Sequence, residues 1–330
     1  MRCLVNQNRL NKVGGLCHAR GAHRQLISFS ASNENKAVPG LRLRGRLFVM
    51  LLFSLNVPAF AEERPNRISE PTSLTPMVFI AAGEFIMGST AEEREYGYRL
   101  DESRGSKAAR HYRWFENETR QQVYVNAFHI DKYLTTNSDY QRFVVSRVYP
   151  TPYVDRQTWD AYGLVHAYDA VQRFLWRNGG YPKRRGDHPV VLVAYRDAVA
   201  YCQWRGQQEH RRLRLPTEPE WEKAARGVNG AIFPWGNAFD AKKLNSADAG
   251  PYDTLPVGQF NPGVSPYGLH DMAGMVFEWT TTACPTEQDK MIVKGGSWDD
   301  YPGVTRSAAR HCRPRSLQHI LIGFRCAADA

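Results

Sequence analysis

The run Ser297-Trp298-Asp299-Asp300 sets a hydroxyl, an indole and two carboxylates side by side, and Arg306, Arg310 and His311 follow a short way on. Carboxylates beside an imidazole and guanidinium groups can grip a peptide or work as general acid and base. The same types can also do no more than brace a turn, with Ser297, Asp299 and Arg306 as the braces. A second constellation is built for a hard ion. Asp271 and Glu278 flank Gly274, and two carboxylates with carbonyl oxygens around a glycine turn suit Ca²⁺. The pair in His129-Ile130-Asp131 is two-thirds of a non-haem iron facial triad, but it reads as part of a strand and no third ligand is apparent. His188 precedes Pro189 and reads as a loop residue. Asn117-Glu118-Thr119 has the pattern of a glycosylation acceptor and nothing more.

Elements must hold these groups in place. The clearest is a helix opening at Thr217. Thr217 and Glu220 form a capping box, in which the hydroxyl accepts from the N–H of Glu220 and the carboxylate accepts from the N–H of Thr217. Pro219 lies in the first turn, where a missing N–H costs nothing. Trp221, Ala224 and Ala225 share one face, and Gly227 stops the helix. A second helix is expected from about Tyr195 to Gln208, burying Tyr195, Ala198, Val199 and Cys202. A third spans Asn137 to Arg147, with Tyr140, Phe143 and Val144 inward. Met77–Gly88 reads as a strand pair and Val123–Tyr133 as one strand. The charged stretch Ala91–Arg120 reads as an insertion or an exposed helical arm. Thr151–Arg185 is rich in aromatic and basic residues and has no clear period. Beyond Gly227, glycine, proline and asparagine are dense, and irregular segments are long. Segments of that kind are usually ordered by packed aromatics or metal ions.

The words Arg214-Leu215-Pro216-Thr217-Glu218-Pro219-Glu220-Trp221 resemble a signature of the sulfatase-modifying-factor family, the formylglycine-generating-enzyme domain. Further pieces follow in family order: Phe233-Pro234-Trp235-Gly236-Asn237, then Tyr267 to Thr280, Val293 to Asp300, and Gly323-Phe324-Arg325-Cys326. The first strands are matched by Met77-Val78-Phe79-Ile80 and Gly83 to Gly88. The resemblance covers residues 77–330. It implies an α+β domain, a compact C-type-lectin-like formylglycine-generating-enzyme fold with little regular secondary structure. It places Ser297, Trp298, Asp299, Asp300, Arg306, Arg310 and His311 near the family's substrate groove. It also implies a structural Ca²⁺ on Asp271, the carbonyls of Gly274 and Val276, and Glu278. A second Ca²⁺ position matches Asn245 and Ser246, with either Asp248 or Asp253 as the acid. Finally, it pairs Cys202 with Cys326. The family's other disulfide falls on Ala225 and Ser307, so both of its members are absent together. Cys284 and Cys312 are left to form a different bridge or stay free.

The chain departs from the family at the oxidase centre. Active members hold copper(I) between two cysteines just after the glycine-glycine-serine turn, and soft thiolates are what copper(I) requires. Gly295 to Ala309 contains no cysteine. Cys312 lies beyond, and one thiolate cannot make a two-thiolate site. The resemblance therefore implies no copper centre. Iron-using relatives take histidines from an additional helical domain that this sequence does not show.

The formal charge of the 330-residue chain, +10, suggests nucleic acid at first sight. Residues 1–61 hold nine Lys and Arg against one Glu, and without them 34 basic residues face 32 acidic ones. No nucleic-acid partner is expected. That leader reads as an export signal. Arg42, Arg44 and Arg46 precede an apolar Leu47–Val57, and Ala59-Phe60-Ala61 has the form of a cleavage site. The apolar run is short for a membrane span, so no stable insertion is expected. Residues 62–76 read as a linker. Periplasmic or secreted location would supply an oxidising compartment for the cysteines. Two functions fit. One is a maturation factor acting on a peptide or peptide-derived substrate, similar to family members that work in pyoverdine maturation. The other is a non-catalytic, calcium-stabilised binding module. Formylglycine formation on a sulfatase-type CxPxR peptide is not expected, and the sequence names neither the substrate nor the oligomeric state.

Overall fold

Pattern and propensity place the elements, and long-range pairing arranges them. In the computed structural model, residues 75–330 are described. In chain order they form β1 (Met77–Ile80), β2 (Gly83–Met87), α1 (Ala91–Glu102), α2 (Ala108–His111), β3 (Gln121–Val125), β4 (Phe128–Asp131) and α3 (Asn137–Arg147). Then come α4 (Arg156–Ala161), α5 (Tyr168–Val171), α6 (Tyr195–Gln208), β5 (Leu213–Arg214) and α7 (Glu218–Arg226). The chain closes with β6 (Phe277–Ala283), β7 (Lys290–Lys294), β8 (Arg310–Pro314), β9 (Ile322–Gly323) and β10 (Ala327–Asp329). The leader, its cleavage site and most of the linker lie outside the described residues. Among the described residues no helix is long and apolar enough to cross a membrane.

Three sheets result. One runs β1-β4-β10-β5, a second is the ribbon β2-β3, and the third runs β8-β7-β6-β9 with β6 and β9 parallel. The strand-pair reading of Met77–Gly88 is corrected here. β1 pairs with β4 and β2 with β3, not with each other. The single strand expected over Val123–Tyr133 is likewise two, because the chain leaves the ribbon after Val125 and re-enters the first sheet at Phe128. The expected helices stand. In α7, Thr217 Oγ1 accepts from Glu220 N at 3.3 Å and Glu220 Oε2 accepts from Thr217 N at 2.7 Å. Trp221, Ala224 and Ala225 are fully buried, and Gly227 takes φ 74°, a left-handed value that glycine adopts freely. Ala198 and Cys202 of α6 are enclosed, while Tyr195 and Val199 are half-buried.

Aromatic packing joins the layers. Tyr140 and Phe143 of α3 meet Tyr201 of α6, with ring centroids 5.6 and 5.9 Å apart, and Phe324 closes on Tyr201 at 5.3 Å. Two disulfides lock the result. Cys202 joins α6 to Cys326 just before β10. The bridge left open by the sequence is also made, tying Cys284 at the end of β6 to Cys312 of β8.

Candidate functional site

The turn Gly295–Ser297 leaves β7 and begins the irregular segment that leads to β8. Both glycines have positive φ, 98° and 73°, and a side chain at Gly296 would press on Thr305. Ser297 Oγ hydrogen-bonds Asp300 Oδ2. Trp298 is 1% exposed; its backbone N–H donates to Met275 O at 3.0 Å, and its indole N–H is buried without an acceptor. Asp299 stays partly open and pairs through Oδ2 with His166 Nε2 at 3.0 Å. Phe174 stacks on Trp298, with centroids 6.2 Å apart, and the Arg173 guanidinium lies 5.5 Å from the same ring. Burial pushes the Asp300 carboxyl up to about 7, and the Asp299 charge adds to this.

The remaining predicted members face elsewhere, which corrects the expectation that all seven line one groove. Arg306 is buried in a two-pronged ion pair with Glu118, at 2.9 and 2.8 Å, and its guanidinium sits 4.2 Å from the Phe115 ring. Arg310 turns to the other side of the β7–β8 ladder. There it meets Glu218 at 3.2 Å, beside the buried Lys294–Glu222 pair. His311 points back between Trp114 and Phe277. Burial holds its imidazole well below the usual histidine range, so it is neutral.

Sequence reasoning missed the groups that complete this region. His166, Arg173 and Phe174 come from the aperiodic stretch 151–185. Glu118, Phe115, Trp114 and Asp101 come from the charged stretch 91–120. That stretch is not an exposed arm, since Tyr98 and Phe115 are buried. Helix α1 docks on the turn segment through Gly97 and Asp101. Asp101 Oδ1 accepts from Gly303 N at 2.6 Å, and a methyl on Gly97 would strike the Arg306 side chain. Both non-generic segments thus converge on residues 297–311, one from each side. The aromatic content of 151–185 was the available signal. No pattern pointed to His166.

The expected cation positions can be tested on their own chemistry. Glu278 is fully buried and both its oxygens are held by Arg325, at 2.7 and 2.9 Å. Asp271 has no such partner. It accepts one backbone bond from Gly258 at 2.7 Å, and burial with the nearby Glu278 charge pushes it up to about 6. Asn245 lies against Gly274, and its carbonyl takes the N–H of Met275 at 2.8 Å. Its side-chain Oδ1 is buried without a donor. Ser246 is enclosed, its carbonyl accepting from Gly250 N. The candidate acids Asp253 and Asp248 are already held by Arg185 and Arg104. A buried carboxylate with a single hydrogen bond at the first position, and an orphaned amide oxygen at the second, each fit a hard cation. They do not fit a soft one. All four described cysteines lie in disulfides. The iron reading at His129 and Asp131 fails as well, since Asp131 is clamped by Arg205 at 2.8 and 2.7 Å.

Fold and site together define an α+β domain braced by disulfides and buried ion pairs, with a polar turn that carries no thiol. The profile of the sulfatase-modifying factor enzyme 1-like domain matches residues 63–330, and the chain belongs to that family. It is 33% identical over 320 residues to the inactive C-alpha-formylglycine-generating enzyme 2 of Mus musculus, covering 86% of this chain and 92% of that one. It is 31% identical to the formylglycine-generating enzyme of Mus musculus, covering 78% and 76%. The solved structure of PvdO from Pseudomonas aeruginosa superposes with a TM-score of 0.57 at 23% identity, over 77% of this chain and 94% of that one. That last likeness speaks for the fold alone. Relatives named active and inactive match about equally well, so the site must decide between them.

Proposed function

We propose that this chain is an exported family member that handles a peptide or peptide-derived substrate without a thiolate copper centre. The observation that carries the reading is the Asp299–His166 pair. Its carboxylate stands three residues beyond the Gly295-Gly296 turn and is partly open to solvent, and every described cysteine is oxidised. A carboxylate that orients an imidazole can bind a peptide N–H or ammonium, or relay a proton. Arg173, partly exposed over the buried Trp298–Phe174 stack, gives it a cationic edge. The test is fluorescence anisotropy against a positional peptide library. His166→Gln and Asp299→Asn should each weaken selected peptides about tenfold with unchanged melting. Peptide binding indifferent to both variants would refute the assignment.

The burial of Trp298, Arg306 and His311 favours a second reading, a calcium-stabilised binding module without turnover. Both readings share the cation. Asp271 would hold Ca²⁺ with the carbonyls of Gly274 and Val276, neutralising a carboxylate that burial otherwise destabilises. A ligand present at 100 times its Kd stabilises by about 2.7 kcal/mol, which corresponds to roughly 5–10 °C for a domain of this size. Adding EGTA should lower the melting temperature by that order. Asp271→Ala should abolish the calcium response, and an identical response in the variant would exclude the site.

A further inference from the structure

A second place in the fold is shaped for a small ligand. A pocket of about 270 Å³ opens between α3, the start of α6 and the loop after Tyr149. It is slightly smaller than typical ligand sites, which begin near 300 Å³, so it suits one amino acid. Tyr140 lines it, although only 1% of that residue is exposed. The Tyr140 hydroxyl makes no hydrogen bond with any described residue. Beside it, Asp197 takes the Tyr149 hydroxyl at 2.9 Å on Oδ1 and the Ala194 N–H at 2.9 Å on Oδ2. Arg196 stands at the rim with its side chain 86% exposed, 3.5 Å from Asp197. Pro150, Pro152 and the Tyr149 ring form an apolar wall.

These groups divide by sign. The Asp197 carboxylate and the Tyr140 oxygen are acceptors for an ammonium. The Arg196 guanidinium, in the first turn of the 14-residue helix α6, suits a carboxylate. The wall suits a flat ring. A peptide terminus would satisfy only one charged half. We propose that this pocket binds a free α-amino acid with an aromatic or prolyl side chain, at a site separate from the Asp299–His166 turn.

The test is calorimetry and saturation-transfer NMR on the full chain with L-phenylalanine, L-tyrosine and L-proline. N-acetyl-L-phenylalanine and L-phenylalaninamide serve as probes that each lack one charge. At least one free amino acid should bind saturably, and each blocked probe should bind at least tenfold more weakly than L-phenylalanine or not at all. Arg196→Gln, a change at an exposed side chain, and Tyr140→Phe, which removes one oxygen, should each weaken binding at least fivefold. Absence of saturable binding by all three amino acids would overturn the proposal. So would undiminished binding of a blocked probe, or affinity untouched by both variants.

Discussion

Glu118→Gln should cost the domain about 3–5 kcal/mol, the usual penalty for stranding one partner of a buried ion pair. Arg306 and Glu118 are each 1% exposed and share two hydrogen bonds, and Ser89 Oγ adds a third to the carboxylate at 2.7 Å. The variant keeps the shape and removes only the charge, so packing loss does not confuse the result. The guanidinium would remain under Gly97 and over Phe115 with no counter-charge. Arg306→Lys should not rescue the fold, because an ammonium cannot reproduce the two-pronged geometry. Urea unfolding reads the effect directly. A midpoint shift worth less than about 1 kcal/mol, the range of surface pairs, would show that the 91–120 segment docks by other means.

Cys202→Ala with Cys326→Ala should be nearly as damaging. The bridge closes 124 residues of chain, and chain-entropy reasoning gives about 5 kcal/mol for a loop of that length. Cys284–Cys312 closes only 28, for about 3.5 kcal/mol on the same reasoning. The long bridge should therefore matter more, and denaturant midpoints of the two double variants provide the comparison. The reverse order would mean that the β6–β8 corner, not the α6–β10 junction, limits stability.

Local features were legible in the sequence and partners across the chain were not. The bounds of α6 and the α7 capping box follow from spacing and turn residues, which act within a few positions. The pairing of β1 with β4 was hidden, because short strands of similar composition do not announce whom they meet. The site was split in the same way. The turn 295–300 and the pairing of Cys202 with Cys326 came from the family resemblance, and Asp271 with Glu278 from residue type and spacing. The partners that define their chemistry did not. His166 reaches Asp299 across 133 positions and Arg306 reaches Glu118 across 188. Arg325 lies within a family motif, yet nothing in its neighbourhood foretold that it would occupy both oxygens of Glu278. Segments 91–120 and 151–185 lack a period because each is pinned by a few charged and aromatic anchors. They do not lay a continuous face on the core.

The proposed thiolate-free function rests on the oxidation of the described cysteines and on the lack of cysteine in the turn segment. The direct measurement is mass spectrometry of a CxPxR peptide incubated with the purified protein, copper(I), oxygen and thiol reductant, with copper content determined in parallel. Unchanged peptide and no stoichiometric copper on sulfur are the predicted results. Conversion of the peptide cysteine to formylglycine, with copper(I) held by two thiolates of this chain, would contradict it.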